Sequence, residues 1–252
     1  MATVAPILAT HGLGLDIGGA RIVADVSLEV GEGELVGIIG PNGAGKTTLF
    51  NLLSGVVAPT AGRIELAGED VTSAPPHRRT QAGLGRSFQV SSVFPLLAVE
   101  ENVRLAAEAK LGGAFSLVRR AARYGPARER AAGALAQVGL SDRAAWPAGM
   151  LSHGDKRKLE VAMLLAGEPR VILLDEPMAG VSVEDVDGLV DLIRSVHADG
   201  RTVLLVEHRM EVVVGLAQRI AVMHHGSLLA FDTPEAVMAD PTVQSAYLGE
   251  PL

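Results

Sequence analysis

The 252-residue chain contains no cysteine. That rules out disulfides, thiolate metal centres and cysteine nucleophiles, and fits a reducing compartment. Basic residues are not in excess either. Asp and Glu number 29 against 22 Lys and Arg, giving a net charge of −7 and a pI of about 5.5, so DNA or RNA is disfavoured as the main partner. No apolar run approaches the length of a membrane span; the candidates around Val161–Gly167 and Val203–Val206 are far too short. Residues Met1–Thr10 carry neither a basic start nor a long apolar stretch, so no signal peptide is expected. Long internal repeats, low-complexity tracts and linkers are also missing. These absences predict a soluble, cytoplasmic chain. Its length allows one large domain or two small ones, and an apolar content of 48% is ample for a core.

What is present is organised around Gly40-Pro41-Asn42-Gly43-Ala44-Gly45-Lys46-Thr47-Thr48, which fits the phosphate-loop pattern G-x-x-x-x-G-K-[ST]. The flanks decide the matter. Glu34–Ile39 is a short apolar run of strand type. Thr48–Leu53 has apolar residues at helical spacing and stops at Ser54-Gly55. Strand, glycine loop and helix form the arrangement that nucleotide chemistry needs. Glycines let backbone N–H groups curl around a phosphate, and the helix N-terminus adds donors and partial positive charge. Lys46 is placed to reach the β- and γ-phosphates, and the Thr47 hydroxyl to ligate Mg²⁺.

Before and after this loop, residues 22–30 and 63–71 alternate apolar and polar, with turns at Gly18-Gly19 and Gly31-Glu32-Gly33. They predict a small antiparallel sheet beside the core. Pro75-Pro76 opens a helix over 77–82, and Arg86–Val90 reads as a short strand. From Val99 to about Val138, Ala, Arg and Glu dominate, which favours helix. Gly112-Gly113 and Tyr124-Gly125-Pro126 should break it into at least three pieces. Residues 90–160 are therefore taken as a helical subdomain inserted into a core of 1–89 and 161–252. Its arginines (Arg119, Arg120, Arg123, Arg128, Arg130) face either a partner or acidic lipid, or simply form a solvated helix face. Trp146 reads as a packing anchor. After residue 160, strands at Arg170–Leu174, Thr202–Val206 and Arg219–Met223 alternate with helices at Asp185–Ala198 and Met210–Ala217. That repetition predicts a parallel α/β sheet with its active loops at the strand C-terminal ends.

The run Val171–Leu174 ends in Asp175-Glu176-Pro177. A carboxylate at the mouth of a buried strand needs a cation to face. Asp175 is suited to hold Mg²⁺, directly or through water, and Glu176 to polarise an attacking water. A helix N-cap is the structural alternative, and the phosphate loop upstream weighs against it. His208, after the strand at 202–206, and Gln89, at the end of its own, say little alone.

Taken in order, these pieces resemble the ATP-binding subunit of ABC transporters, over essentially the whole chain. Gly40–Thr48 resembles the Walker A loop and Val171–Glu176 the Walker B strand with its catalytic glutamate. Gln89 matches the Q-loop and His208 the switch histidine. Leu151-Ser152-His153-Gly154-Asp155 matches the signature LSGGQ, and Ala179-Gly180-Val181-Ser182 stands where the D-loop belongs. The resemblance implies a RecA-like P-loop core with an antiparallel β subdomain and an inserted helical subdomain, ATP and Mg²⁺ as cofactors, and ATP hydrolysis. It implies catalytic roles for Glu176, His208, Lys46 and Gln89, and nucleotide contacts from Asn42, Gly43, Ala44, Gly45, Lys46, Thr47, Thr48 and Ile17. It also implies metal contacts from Thr47, Gln89 and Asp175. Ser152 and Gly154 would hold the γ-phosphate bound by an opposite subunit, same or paralogous, in a head-to-tail dimer. Integral permease subunits, and through them a solute-binding protein, are the implied partners, with the chain peripheral on the cytoplasmic face of the inner membrane.

Four positions, in three motifs, depart from the family pattern. The signature has His153 for its first glycine and Asp155 for glutamine. Ser182 replaces the usual D-loop aspartate. Ile17 stands where an aromatic commonly stacks on adenine, so base-specific stacking is weaker. Within the family, Gly83–Gln89, Leu151–Gly154, Glu176–Gly180, Val206–Met210 and Ala246–Gly249 are similar to the branched-chain amino acid importer group, which also serves short amides and urea. Lipid or lipopolysaccharide transport ATPases and soluble ABC ATPases are the alternatives. The soluble ones usually carry two cassettes, long coiled coils or zinc cysteines, and none is present.

Overall fold

Two sheets organise the chain, for which a computed structural model describes residues 5–87, 93–111 and 117–248, with backbone alone over 117–124 and 247–248. The first sheet joins β1 (Leu8–Ile17), β2 (Ala20–Val30), β4 (Ala61–Leu66) and β5 (Glu69–Asp70) in the order β2-β1-β4-β5. It is antiparallel throughout, as the alternating segments predict. The second has six strands in the order β10 (Ser227–Asp232), β9 (Arg219–His224), β3 (Leu35–Ile39), β8 (Thr202–Val206), β7 (Val171–Asp175) and β6 (Leu84–Arg86). All neighbours are parallel except β10, an antiparallel edge. The chain is thus an α/β protein built on a phosphate-loop core.

The period of two along a strand sorts the core into two layers. Leu35, Ile39, Ile172, Leu174, Val203 and Leu205 face one side, where the buried residues of α3 (Val99–Leu111), α5 (His153–Leu165), α6 (Val183–Ala198) and α7 (Met210–Leu216) gather. Val36, Ile38, Val171, Leu173, Leu204 and Val206 face the other, against α1 (Lys46–Ser54) and the antiparallel sheet. Covered on both faces, β3, β7 and β8 are buried at every residue, which is why they read as unbroken apolar runs. Short helices α2 (Pro76–Gln81), α8 (Pro234–Ala239) and α9 (Pro241–Leu248) complete the chain. Among the described residues no helix is long and apolar enough to cross a membrane.

The fold differs from expectation at two points. The Tyr124-Gly125-Pro126 break does not occur: α4 (Leu117–Gln137) runs through Pro126. Proline removes one helix hydrogen bond, but Ala127, Ala131, Ala134 and Leu135 beyond it are buried in the core, where α4 packs on α3 and α5. That packing outweighs the lost bond. The strand expected at 86–90 is also shifted. Strand β6 starts at Leu84, paired with Val171, and ends at Arg86, paired with Leu173; Phe88 to Ser92 lie outside the described residues.

Candidate active site

Strand order brings three loop mouths together. Because β8 lies between β3 and β7, the residues after β8 sit between the phosphate loop and Asp175-Glu176. The glycine loop is shaped by contact as well as by conformation. Gly40 has φ 151°, and a Cβ there would lie 2.1 Å from the Met223 carbonyl oxygen of β9. Gly45, with φ 98°, starts α1 with no side-chain cap, so the first amides of the helix remain open to an anion. Asn42 and Gly43 are exposed, Thr47 and Thr48 half-buried, and Ala44 buried.

Lys46 is buried. Its Nζ donates to the carbonyl oxygens of Gly40 at 2.6 Å and Pro41 at 3.0 Å, closing the loop on itself. Burial lowers its pKa, and the nearby Glu176 and Asp175 charges work against that shift. Asp175 and Glu176, the carboxylates expected to serve the metal and the attacking water, are thus close enough for their charges to act on Lys46. Glu176 has φ 49°, a left-handed backbone that costs a non-glycine residue about 1–3 kcal/mol. Its Oε1 lies 3.0 Å from His208 Nε2. The preceding Glu207, itself buried, accepts from the Met178 amide at 2.7 Å and pins the turn after Pro177 to the end of β8.

Asp175 is 1% exposed, and its pKa is raised, chiefly by burial. The cation it faces is supplied by the chain: Arg86 Nη2 donates to Oδ2 at 3.0 Å. Its other oxygen, Oδ1, is buried without a hydrogen-bond partner, a state that costs roughly 1–3 kcal/mol. Such an oxygen suits a metal ion. Among the described residues no cluster of three His, Asp or Glu side chains could hold one unaided. The donor set fits Mg²⁺, which takes one or two protein oxygens and completes its shell with water and phosphate.

The remaining predicted residues fall elsewhere. Ile17 is 57% exposed at the end of β1, beside the turn into β2. Ser152 is the N-cap of α5, where its Oγ accepts from the Asp155 amide at 3.1 Å and donates to Asp155 Oδ2 at 2.9 Å. Asp155 also pairs with Arg143, so the residue replacing the family glutamine engages the serine hydroxyl expected to hold phosphate. Gly154 is pressed on α6: a Cβ there would lie 2.8 Å from Asp185 Oδ2. These contacts run to Asp155 and Asp185 and not to the phosphate loop. Gln89 lies outside the described residues. Trp146 is half-exposed with the Arg143 guanidinium 5.6 Å from its ring centre, a rim contact and not a core anchor.

Sequence reasoning missed two arginines. Arg157 of α5 donates to the carbonyl oxygens of Asp175 at 3.2 Å, Glu176 at 3.0 Å and Pro177 at 3.0 Å, tying the signature helix to the catalytic turn. Arg86 is the other. No signal in the sequence marked it, because its place at the end of β6, beside β7, appears only once Leu84 is paired with Val171.

A glycine loop capping a helix, with a carboxylate pair two strands away and a histidine between them, defines a phosphate-loop nucleotide hydrolase. Comparison with known proteins carries this further. Residues 23–179 match the family model described as ABC transporter, and residues 227–251 that described as branched-chain amino acid ATP-binding cassette transporter. The high-affinity branched-chain amino acid transport ATP-binding protein BraF of Pseudomonas aeruginosa is 40% identical, over 97% of this chain and 98% of its own length. The lipopolysaccharide export system ATP-binding protein LptB of Acidithiobacillus ferridurans is 38% identical over 91% of each. The ADP conformation of MJ1267, an ATP-binding cassette of an ABC transporter, superposes with a TM-score of 0.85 at 30% identity, covering 97% of this chain and 99% of that one. The chain belongs to the ABC transporter ATP-binding family, and its activity is that of an ATPase in a transporter.

Proposed function

We propose that this chain is the ATP-hydrolysing motor of an ABC importer for branched-chain amino acids or related small polar solutes. The observation that carries the ATPase mechanism is the 3.0 Å contact between Glu176 and His208, beside the Lys46-closed loop. In this reading the amides of Asn42–Gly45 and the hydroxyls of Thr47 and Thr48 bind the phosphates. Lys46 leaves the Gly40 and Pro41 carbonyls to reach the β- and γ-phosphates, and Ile17 covers a face of the base. Glu176 polarises the attacking water, and His208 holds that water and the γ-phosphate. Asp175 and Thr47, with Gln89, hold Mg²⁺, which when bound supplies neutralisation of phosphate charge.

Ser152 and Gly154 serve the nucleotide of a second ATPase subunit, same or paralogous, across a head-to-tail dimer. Residues 90–160 act as the helical subdomain that meets integral permease subunits; residues 1–89 and 161–252 form the core. A solute-binding protein is coupled only through the permease, and the chain sits peripherally on the cytoplasmic face of the inner membrane. The BraF identity and the match at 227–251 support the cargo class. The LptB identity supports a second reading, a lipopolysaccharide-transport ATPase.

The test is a tagged Glu176→Gln chain, loaded with Mg-ATP and captured from detergent-solubilised cells. We expect ATP binding with stalled hydrolysis, a trapped dimer, and two permease subunits in the capture. Permeases of a lipopolysaccharide exporter would move the chain to the second reading. Capture of ribosomal or DNA-repair proteins would end the transport proposal.

A further inference from the structure

The mechanism above leaves a largely enclosed cation unused. Arg86 ends β6 with its side chain 9% exposed, and its guanidinium spans three elements. One nitrogen, Nη2, donates to Asp175 Oδ2 on β7 at 3.0 Å. The other, Nη1, donates to Asn51 Oδ1 at 2.7 Å and Ser54 Oγ at 2.8 Å, both on α1. The guanidinium carbon lies 5.8 Å from the centre of the Phe50 ring on the same helix. Strand parity explains the meeting. Arg86 shares a face with Leu84, and Asp175 with Val171 and Leu173; this is the face that α1 covers.

The ion pair uses half of the carboxylate. Oδ2 is taken, while Oδ1 is buried and unpartnered. The guanidinium is not free to follow the carboxylate, because Asn51 and Ser54 fix it on the helix whose first turn carries Lys46 and Thr47. The orientation of Asp175 is thereby referred to the phosphate-loop helix itself. The amide of Asp175 is also held, donating to Ser87 Oγ at 3.1 Å.

We propose that Arg86 is a positioning residue for the metal site: anchored on α1, it holds Asp175 by Oδ2 and presents Oδ1 to the divalent cation that accompanies the nucleotide. The inference rests on the Mg-nucleotide reading given above. Arg86 itself contacts neither phosphate nor metal in this scheme. Hydrogen bonds that orient a ligating carboxylate commonly set metal affinity by 10–100-fold, and the fork of an arginine fixes three acceptors at once where a lysine cannot.

The test measures binding of a fluorescent ATP analogue to the full chain, first in EDTA and then with Mg²⁺ titrated. Arg86→Met should raise the Mg²⁺ concentration needed for half its effect by roughly 10–100-fold and leave affinity in EDTA unchanged. Asp175→Asn should raise it comparably, and Arg86→Met added to Asp175→Asn should change it no further. That coupling separates action through Asp175 from general loosening of the core. If Arg86→Met does not fold, the comparison of Arg86→Met/Asp175→Asn with Asp175→Asn and the graded loss in Arg86→Lys carry the test. An unchanged Mg²⁺ requirement overturns the proposal. So does a lowered one, which would make Arg86 a competitor of the metal, or a further loss on the Asp175→Asn background. A wild-type chain whose nucleotide binding shows no Mg²⁺ dependence would overturn the metal reading and this inference together, whereas Mg²⁺-dependent wild-type binding with an unmoved variant overturns this inference alone.

Discussion

Among the described residues Arg79 is the largest fully buried side chain, at 0% exposure, and none of its hydrogen bonds goes to a carboxylate, although the Asp70 charge acts on it from further off. It donates instead to four carbonyl oxygens: Leu52 at 2.6 Å and Leu53 at 2.8 Å through Nη1, Ala74 at 2.9 Å through Nε, and Thr72 at 2.9 Å through Nη2. Two of these belong to the last turn of α1, where unpaired carbonyls gather partial negative charge. Arg79 therefore closes the far end of the helix that the phosphate loop opens. Arg79→Met keeps bulk and removes all four donors. At about 1.5 kcal/mol each, the low end for bonds to a charged group, the four come to roughly 6 kcal/mol. Part of this is returned, because burial already penalises the guanidinium, as its lowered pKa records. We expect a net loss of roughly 3–5 kcal/mol, in the range for breaking a buried charged network.

For a chain of this size that loss lowers Tm by roughly 6–20 °C. The assay is urea unfolding with a parallel thermal melt, and Arg79→Lys as the control. Lysine keeps the charge but cannot span four acceptors, so it should fall between wild type and Arg79→Met. A loss below about 1 kcal/mol for Arg79→Met would refute the reasoning, since it would mean that the four carbonyls find water or other donors without cost.

Lys46→Ala removes the charge that the loop holds ready, and nucleotide affinity should fall roughly 10–100-fold, the worth of a charge-assisted hydrogen bond. Equilibrium binding of labelled ATP checks this, and unchanged affinity would count against the loop assignment. Asp155→Gln frees the Ser152 hydroxyl from the contact at 2.9 Å and removes a negative charge from the start of α5, where an anion is expected. In the Glu176→Gln background the ATP-dependent dimer should tighten, as sedimentation would report, while the monomer loses about 0.3–1 kcal/mol of helix stabilisation. A weaker dimer would show that Asp155 assists the interface.

Much of the fold was legible because its signals are local. A strand, a glycine loop and a helix follow one another without interruption at residues 35–54, and the buried runs at 171–175 and 202–206 announce a sheet covered on both faces. Pro126 misled because its cost is local while the packing of Ala127, Ala131 and Leu135 that offsets it is tertiary. Arginines were the least legible residues. Arg79, Arg86 and Arg157 have the same composition value as the solvated arginines on helix surfaces. Only the fold tells which guanidinium meets carbonyls or a carboxylate.

Asp175 shows where reasoning from sequence ran out. The expense of a carboxylate at the mouth of a buried strand correctly demanded a cation, and the phosphate loop made a metal the natural answer. The chain answers first with its own cation, brought from 89 positions away by the parallel pairing of β6 with β7. Placing the strand at 86–90 hid this, because that register starts two residues late and leaves Arg86 at the strand's beginning. With Leu84 opposite Val171, Arg86 and Asp175 fall on one face at adjacent strand ends. The demand for a cation then has two answers, one per oxygen: Arg86 on Oδ2, and Oδ1 still unpartnered for a metal.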